Sequence, residues 1–130
     1  MKLHKPFAIS LMVCLFGAAI PVQAADGNWK KGRIYYRMVC TACHKDHAGG
    51  SISPATMTKA EWKAYIAADK HAKGKDTVSY YVSQEYRNSI KDTNKAAAKF
   101  AKVPNDEMMA DVQAFVIHGA KDSDTPARCN

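Results

Sequence analysis

The sequence predicts a single all-α domain that follows a short leader segment. Apolar residues recur at three- and four-residue steps in several segments, which is the periodicity of helices that bury one face. Capping residues followed by acidic residues mark the starts of two of these segments. No segment shows the strict alternation typical of a half-buried strand. With 130 residues, the chain has the length of one compact domain.

The first 24 residues have the three-part pattern of an export signal. A basic start precedes an apolar run over residues 8–20, and small residues around Ala24 suit cleavage. The apolar run is shorter than the roughly 20 residues that a membrane-spanning helix needs, and no later segment is more apolar. We therefore expect residues 1–24 to be removed and residues 25–130 to form the mature domain, in the periplasm or otherwise exported.

Four helices are expected in the mature domain. They span residues 28–43, residues 58–69 with Thr58 and Glu61 as a capping box, residues 78–90, and a last segment that starts at 104–107 with a capping residue and ends near Gly119. A loop is expected over residues 45–53, and residues 92–103 are ambiguous. The tail from residue 122 onward is expected to be irregular.

Cys40, Cys43 and His44 form a Cys-x-x-Cys-His motif, which is the attachment motif of c-type haem. Two thiols at this spacing near the end of a helix can reach the two vinyl groups on one porphyrin edge, and the adjacent histidine ligates the iron. A thioredoxin-like pair would need a preceding strand, and a zinc site would need two more ligands. Together with the export signal, the motif predicts one covalent haem c.

The mature sequence resembles class I cytochromes c over most of its length. Gly32 and Tyr36 stand eight and four residues before Cys40, where that family has a small and an aromatic residue. The resemblance implies a class I cytochrome c-like helical domain wrapped around one haem. It also implies that Gly32 lets a C-terminal helix cross closely and that Phe115 packs at this crossing.

One subgroup, the small monohaem cytochromes of anaerobic and sulfur-metabolising bacteria, is similar at further positions. Its Ser-Pro pair with a Trp eight residues past the Pro is matched by Ser53, Pro54 and Trp62. Its C-terminal Ala-x-Asp-Ser-x-x-Pro pattern is matched by residues 120–126. The resemblance to class I cytochromes also implies that the Pro54 carbonyl accepts a hydrogen bond from the second ring nitrogen of His44.

The second axial ligand of the iron has several candidates. Class I cytochromes usually take a Met from the loop before the last helix, but residues 92–107 contain no Met. His71 is the leading distal candidate, because it lies in a polar segment after the second predicted helix and can reach the iron from there. The other candidates are Met57, His118, His47, Met108 and Met109, with a vacant position as the remaining alternative.

These features predict a single-electron carrier rather than an enzyme. No Ser-His-Asp set, paired-carboxylate motif or phosphate-binding loop is present. The alternative is a haem subunit or enzyme of sulfur-compound or peroxide redox chemistry, with an open distal position. Removal of the signal takes Lys2 and Lys5 from the formal net charge of +7 and leaves +5, which favours acidic redox partners or an anionic surface. Export argues against nucleic acid. Cys129 is left as an odd thiol, a candidate for linking two chains.

Overall fold

The computed structural model describes residues 26–47, 50, 52–72 and 74–127, without the side chains of residues 46 and 47. The expected export signal and Cys129 lie outside these residues. The described part of the chain is mostly helical and contains no strand, which confirms the all-α class. None of its helices has the length and apolar character needed to cross a membrane.

The helices follow one another along the chain with short connections. The α-helices of the described part are α1 (Trp29–Tyr35), α2 (Thr41–His47), α3 (Lys59–Ala68), α4 (Val78–Tyr81), α5 (Gln84–Ile90), α6 (Lys95–Phe100) and α7 (Asn105–His118). A π-helical turn, Tyr36–Cys40, joins α1 to α2, and a 3-10 turn, Pro54–Thr56, precedes α3. The first predicted helix therefore continues to His47, into the segment that was expected to be a loop.

Local capping explains where several helices begin. The Asn28 side chain accepts hydrogen bonds from the backbone nitrogens of Lys30 and Lys31, at 3.0 and 3.2 Å. Thr58 and Glu61 form the predicted capping box, with each side chain bonded to the backbone nitrogen of the other. These bonds satisfy helix-start donors that have no partner within the helix, so short polar side chains can set the helix boundaries.

The third predicted helix, over residues 78–90, is divided into α4 and α5. Ser83 interrupts it, because its side chain accepts a hydrogen bond from the backbone nitrogen of Tyr86 at 3.1 Å and so starts a new helix. The ambiguous residues 92–103 contain α6. Its cap is Asn94, which accepts hydrogen bonds from two backbone nitrogens at 3.0 Å.

Helices α1 and α7 cross closely at Gly32. A Cβ placed on Gly32 would overlap the backbone oxygen of Asp111 and lie 3.0 Å from the Cβ of Phe115. The Asp111 carboxylate also accepts a hydrogen bond from the Asn28 backbone nitrogen at 2.6 Å, at the start of α1. The expected close crossing, with Phe115 at its contact point, is therefore confirmed. It requires a residue without a side chain on α1.

A buried arginine joins α5 to the start of α7. The guanidinium of Arg87 is fully buried and donates to the carbonyls of Phe100 and Val103, each at 2.7 Å. It also contacts the Asn105 side-chain oxygen at 3.2 Å, which accepts from the Gln84 backbone nitrogen at 2.7 Å. The side chain of Asn105, at the expected start of α7, thus links this helix to α5. Pro104, which precedes the helix, makes no side-chain cap.

The C-terminal tail folds back over the 3-10 turn and the start of α3. The backbone nitrogen of Lys121 donates to the Met57 carbonyl at 2.9 Å. The carboxylate of Asp122 accepts a hydrogen bond from the Lys59 backbone nitrogen at 2.8 Å. As expected, residues 122–127 contain no helix, but these bonds hold the tail against the domain.

Replacing Gly32 with Ala should destabilise the fold. The added methyl group meets the backbone of α7, and overpacking of this kind costs about 1–3 kcal/mol. Helix propensity alone predicts the opposite sign, because Ala is favoured over Gly by about 1 kcal/mol in a helix interior. Denaturant unfolding followed by circular dichroism measures the sign. Ala64→Gly, on the exposed side of α3, gives the propensity effect alone, and a stabilised Gly32→Ala protein would contradict the crossing.

Candidate functional site

A cavity of about 620 Å³ lies between two apolar clusters of the core. Val39 and Val112 belong to the first cluster and Trp62 and Val116 to the second, and all four line the cavity. The volume falls within the range of about 300–1,000 Å³ that is usual for small-molecule and cofactor sites. A mainly apolar wall with few polar groups is also typical of such sites.

The Cys-x-x-Cys-His motif lies on one wall of this cavity. Cys40, Cys43 and His44 all line it, with Cys43 the most exposed of the three and His44 at 9% exposure. Burial raises the pKa of the Cys40 thiol to about 12, so this thiol is neutral at ordinary pH. The predicted attachment residues therefore lie together on one wall of the cavity.

The π-helical turn sets the direction in which the motif faces. The backbone nitrogen of Thr41 donates to the Tyr36 carbonyl five residues earlier, where an α-helix would use the fourth. The Met38 carbonyl, inside the turn, accepts a hydrogen bond from the Asn94 side chain at 2.8 Å. Because the turn holds one more residue than an α-helical turn, the motif points in a different direction from that of an uninterrupted helix.

His71 lines the same cavity from the segment between α3 and α4. The ring centroids of His44 and His71 are 5.5 Å apart, and the ring planes make an angle of 50°. Nδ1 of His71 is buried and has no hydrogen-bond partner among the described residues. Burial, with a smaller contribution from the nearby His44, lowers the pKa of His71. The neutral imidazole that this favours is the form that binds metals.

The other predicted distal ligands are distributed over the structure. Met57 lines the cavity, whereas Met108 is fully buried in the first apolar cluster and Met109 packs against that cluster. His118 stacks on Trp29, with ring centroids 4.1 Å apart. Met108, Met109 and His118 are not among the described residues that line the cavity.

The described part of the chain has no group of three or more His, Cys, Asp or Glu side chains that could hold a metal ion by themselves. A haem iron needs fewer ligands from the protein, because the porphyrin supplies four nitrogens and the chain adds one or two axial ligands. Cys40 and Cys43 would supply the thiols for the porphyrin, and His44 with or without His71 the imidazoles for the iron. All four line the one cavity, so the residues present fit a haem. The side chain of His47 lies outside the described residues.

The Pro54 carbonyl has a partner that the sequence did not predict. Nε1 of Trp62 donates to it at 2.7 Å, in a buried position. The Tyr36 hydroxyl donates to the nearby Ile52 carbonyl at 2.8 Å, which fixes the same loop to the π turn. The eight-residue interval between Pro54 and Trp62 therefore has a physical basis, while the expected hydrogen bond from His44 to Pro54 stays a prediction.

Residues that the sequence analysis missed hold the segment around His71. The carboxylate of Asp69 accepts from the Ser79 backbone nitrogen at 2.7 Å and from the Ser79 hydroxyl at 2.6 Å. The Tyr65 hydroxyl accepts from the Ala72 backbone nitrogen at 3.1 Å. These bonds join the end of α3 to residues beyond it across a segment without regular structure, so helical periodicity in the sequence gives no signal for them.

Two further residues border the His71 ring. The ring centroid of Tyr81 lies 5.0 Å from that of His71, and the Tyr81 carbonyl accepts a hydrogen bond from the Tyr35 hydroxyl at 2.6 Å. Gly74 passes so close that a Cβ there would lie 2.5 Å from Nδ1 of His71 and 2.9 Å from the Tyr81 hydroxyl. The ring of His71 is thus enclosed between the cavity, an aromatic neighbour and a glycine.

No protein-family model, curated protein or solved structure matches this chain. The resemblance to class I cytochromes c therefore stays a prediction. The site is described by its own geometry: a thiol pair, two imidazoles and an apolar wall around one cavity.

Replacing Trp62 with Phe should weaken the wall of the cavity. The change keeps an aromatic ring but leaves the buried Pro54 carbonyl without its indole donor, a loss of about 1–3 kcal/mol. Unfolding in denaturant measures it. Trp29→Phe is the matched control, because Trp29 is only partly buried and its described ring contacts are with His118 and Lys30. Equal losses in the two variants would show that the hydrogen bond to Pro54 contributes nothing measurable.

Proposed function

We propose that this chain is an exported, class I-like monohaem c-type cytochrome that carries single electrons. The observation that carries the proposal is that Cys40, Cys43, His44 and His71 all line one largely apolar cavity. The motif alone predicts attachment of haem, and the cavity adds a space of suitable size beside it. The export signal predicted over residues 1–24 agrees with this, because c-type haem is attached outside the cytoplasm.

Each motif residue has a chemical role in this proposal. The thiols of Cys40 and Cys43 would add across the two vinyl double bonds of the porphyrin, one S–H to each, to give two thioethers, and the imidazole of His44 would bind the iron. The bound haem supplies the one-electron chemistry of its iron. The chain holds the group by covalent bonds, surrounds it with the apolar wall and sets its reduction potential through the axial ligands.

His71 is the proposed distal ligand. Its imidazole is favoured in the neutral form, its Nδ1 has no partner among the described residues, and its ring lies 5.5 Å from that of His44. Met57 is the competing candidate because its side chain also lines the cavity. The two ligands have different consequences, since a second histidine lowers the reduction potential and a Met thioether raises it.

An electron carrier also needs a surface that partners can approach. Lys30, Arg33 and Arg37 are exposed along the helix that leads into the motif. A basic surface of this kind steers acidic redox partners toward the protein. The alternative of a sulfur-compound or peroxide enzyme needs an open distal position, and the placement of His71 in the cavity favours the carrier.

The mature protein should carry one covalent haem. Its intact mass is expected to equal the polypeptide from about residue 25 onward plus one haem, because two thioethers survive denaturation. Mass spectrometry of the protein purified from a host that matures c-type cytochromes measures this. Replacing both Cys40 and Cys43 with Ser should remove the haem mass, and Cys129→Ser should keep it. A haem-free wild-type protein under these conditions would sink the proposal.

His71→Ala should open the sixth position of the iron. The ferric wild-type protein is expected to be low spin without the near-infrared band of Met ligation, and the variant is expected to be high spin. Absorption and electron paramagnetic resonance spectra of the ferric protein measure the spin state. His118→Ala is the matched control, because His118 stacks on Trp29 and is not among the described cavity residues. If His71→Ala keeps the wild-type spectrum, Met57 is the next ligand to test.

A further inference from the structure

We propose that Asp69 and Ser79 are positioning residues that keep His71 at the iron by closing the segment on which it lies. This inference rests on the proposed function and extends it to residues that do not line the cavity. Between the end of α3 and the start of α4, the described residues 69–72 and 74–77 belong to no helix or strand. Something other than secondary structure must therefore hold His71 in place.

Two hydrogen bonds, both accepted by the Asp69 carboxylate, close the loop. Oδ1 of Asp69 accepts from the Ser79 backbone nitrogen, and Oδ2 accepts from the Ser79 hydroxyl, at 2.7 and 2.6 Å. Asp69 stands immediately after α3 in the left-handed conformation, with φ of 48°. Ser79 lies in α4, so the carboxylate joins the end of one helix to the start of the next. The two residues enclose His71 within one closed loop.

Side chains from α3 and α4 hold the rest of the loop beside the cavity. The Tyr65 hydroxyl accepts from the Ala72 backbone nitrogen one residue beyond His71. Tyr81 contacts the imidazole ring, and its own backbone is tied to the buried Tyr35. The Tyr65 contact comes from α3 and the Tyr81 contact from α4. The Asp69–Ser79 bonds join these two helices, so we infer that they keep both contacts in place when the imidazole leaves the iron.

Closing the loop affects how well His71 competes with an added ligand for the iron. A ligand on a closed loop keeps a high effective concentration, because fewer chain conformations take it away from its site. An added ligand can bind only to molecules in which His71 has left. Its apparent affinity therefore measures the fraction of open molecules. Loosening the loop should raise that fraction without changing the iron, the haem attachment or His44.

The test is an imidazole titration of the ferric holoprotein, followed by its absorption spectrum. Asp69→Gly keeps the left-handed backbone conformation but removes both hydrogen bonds to Ser79. Ser79→Ala keeps the bond from the backbone nitrogen and removes the hydroxyl's bond to Asp69, together with its 3.0 Å hydrogen bond to the Thr77 hydroxyl. Apparent affinity for imidazole should rise about tenfold in the first variant and about threefold in the second. Asp69→Asn, which retains an acceptor and tolerates the left-handed conformation, should stay close to wild type.

The control is Ser123→Ala, which also removes a serine hydroxyl, one that accepts a hydrogen bond from the Thr125 backbone nitrogen in the C-terminal tail. It should leave the imidazole affinity unchanged. His71→Ala defines the fully open limit and separates the two hypotheses. If His71→Ala binds imidazole more tightly but Asp69→Gly and Ser79→Ala match wild type, the positioning role is wrong and the distal ligand stands. If His71→Ala also matches wild type, the distal assignment itself fails, and the positioning role fails with it.

Discussion

The crossing of α1 and α7 at Gly32 is the constraint on which the rest of the structure depends. At this point the two backbones are so close that a single methyl group does not fit between them. The Asp111 carboxylate of α7 accepts a hydrogen bond from the Asn28 backbone nitrogen, so the N-terminal end of α1 is also held against α7. Since the Cys-x-x-Cys-His motif lies on the continuation of α1, the crossing also determines where the motif meets the cavity.

The core is divided by that cavity. One apolar cluster is built around Tyr35, Phe100 and Met108, and the other around Trp62 and Phe115. Side chains of both clusters line the space between them. On the proposed function, a bound haem would contact both clusters and join them, so its attachment would contribute to folding as well as to electron transfer.

Sequence patterns predicted the features that depend on neighbouring residues. The Thr58–Glu61 capping box and the helical class follow from local periodicity and side-chain chemistry. Gly32 was predicted from the family resemblance, and the crossing confirms it. The split of residues 78–90 was missed because a serine cap competes with helix propensity without breaking the apolar pattern.

Contacts between distant parts of the chain left no such pattern. Arg87 resembles any surface arginine in the sequence, yet it is buried because carbonyls of a following segment converge on it. The hydrogen bond from Trp62 to Pro54 and the two from Ser79 to Asp69 likewise depend on how the chain returns on itself. Chemistry alone singled out Cys40, Cys43, His44 and His71 in the sequence, and all four line one cavity, while their binding of a haem stays a prediction.

The π-helical turn has a consequence for how such a chain can vary. The turn lies between Gly32 and the motif. The number of residues in the turn sets how far the motif is rotated about the helix axis relative to Gly32. Each residue of an α-helix accounts for a rotation of about 100°. A deletion that restored a regular helix between Gly32 and Cys40 would therefore turn the thiols away from the cavity while leaving the crossing intact.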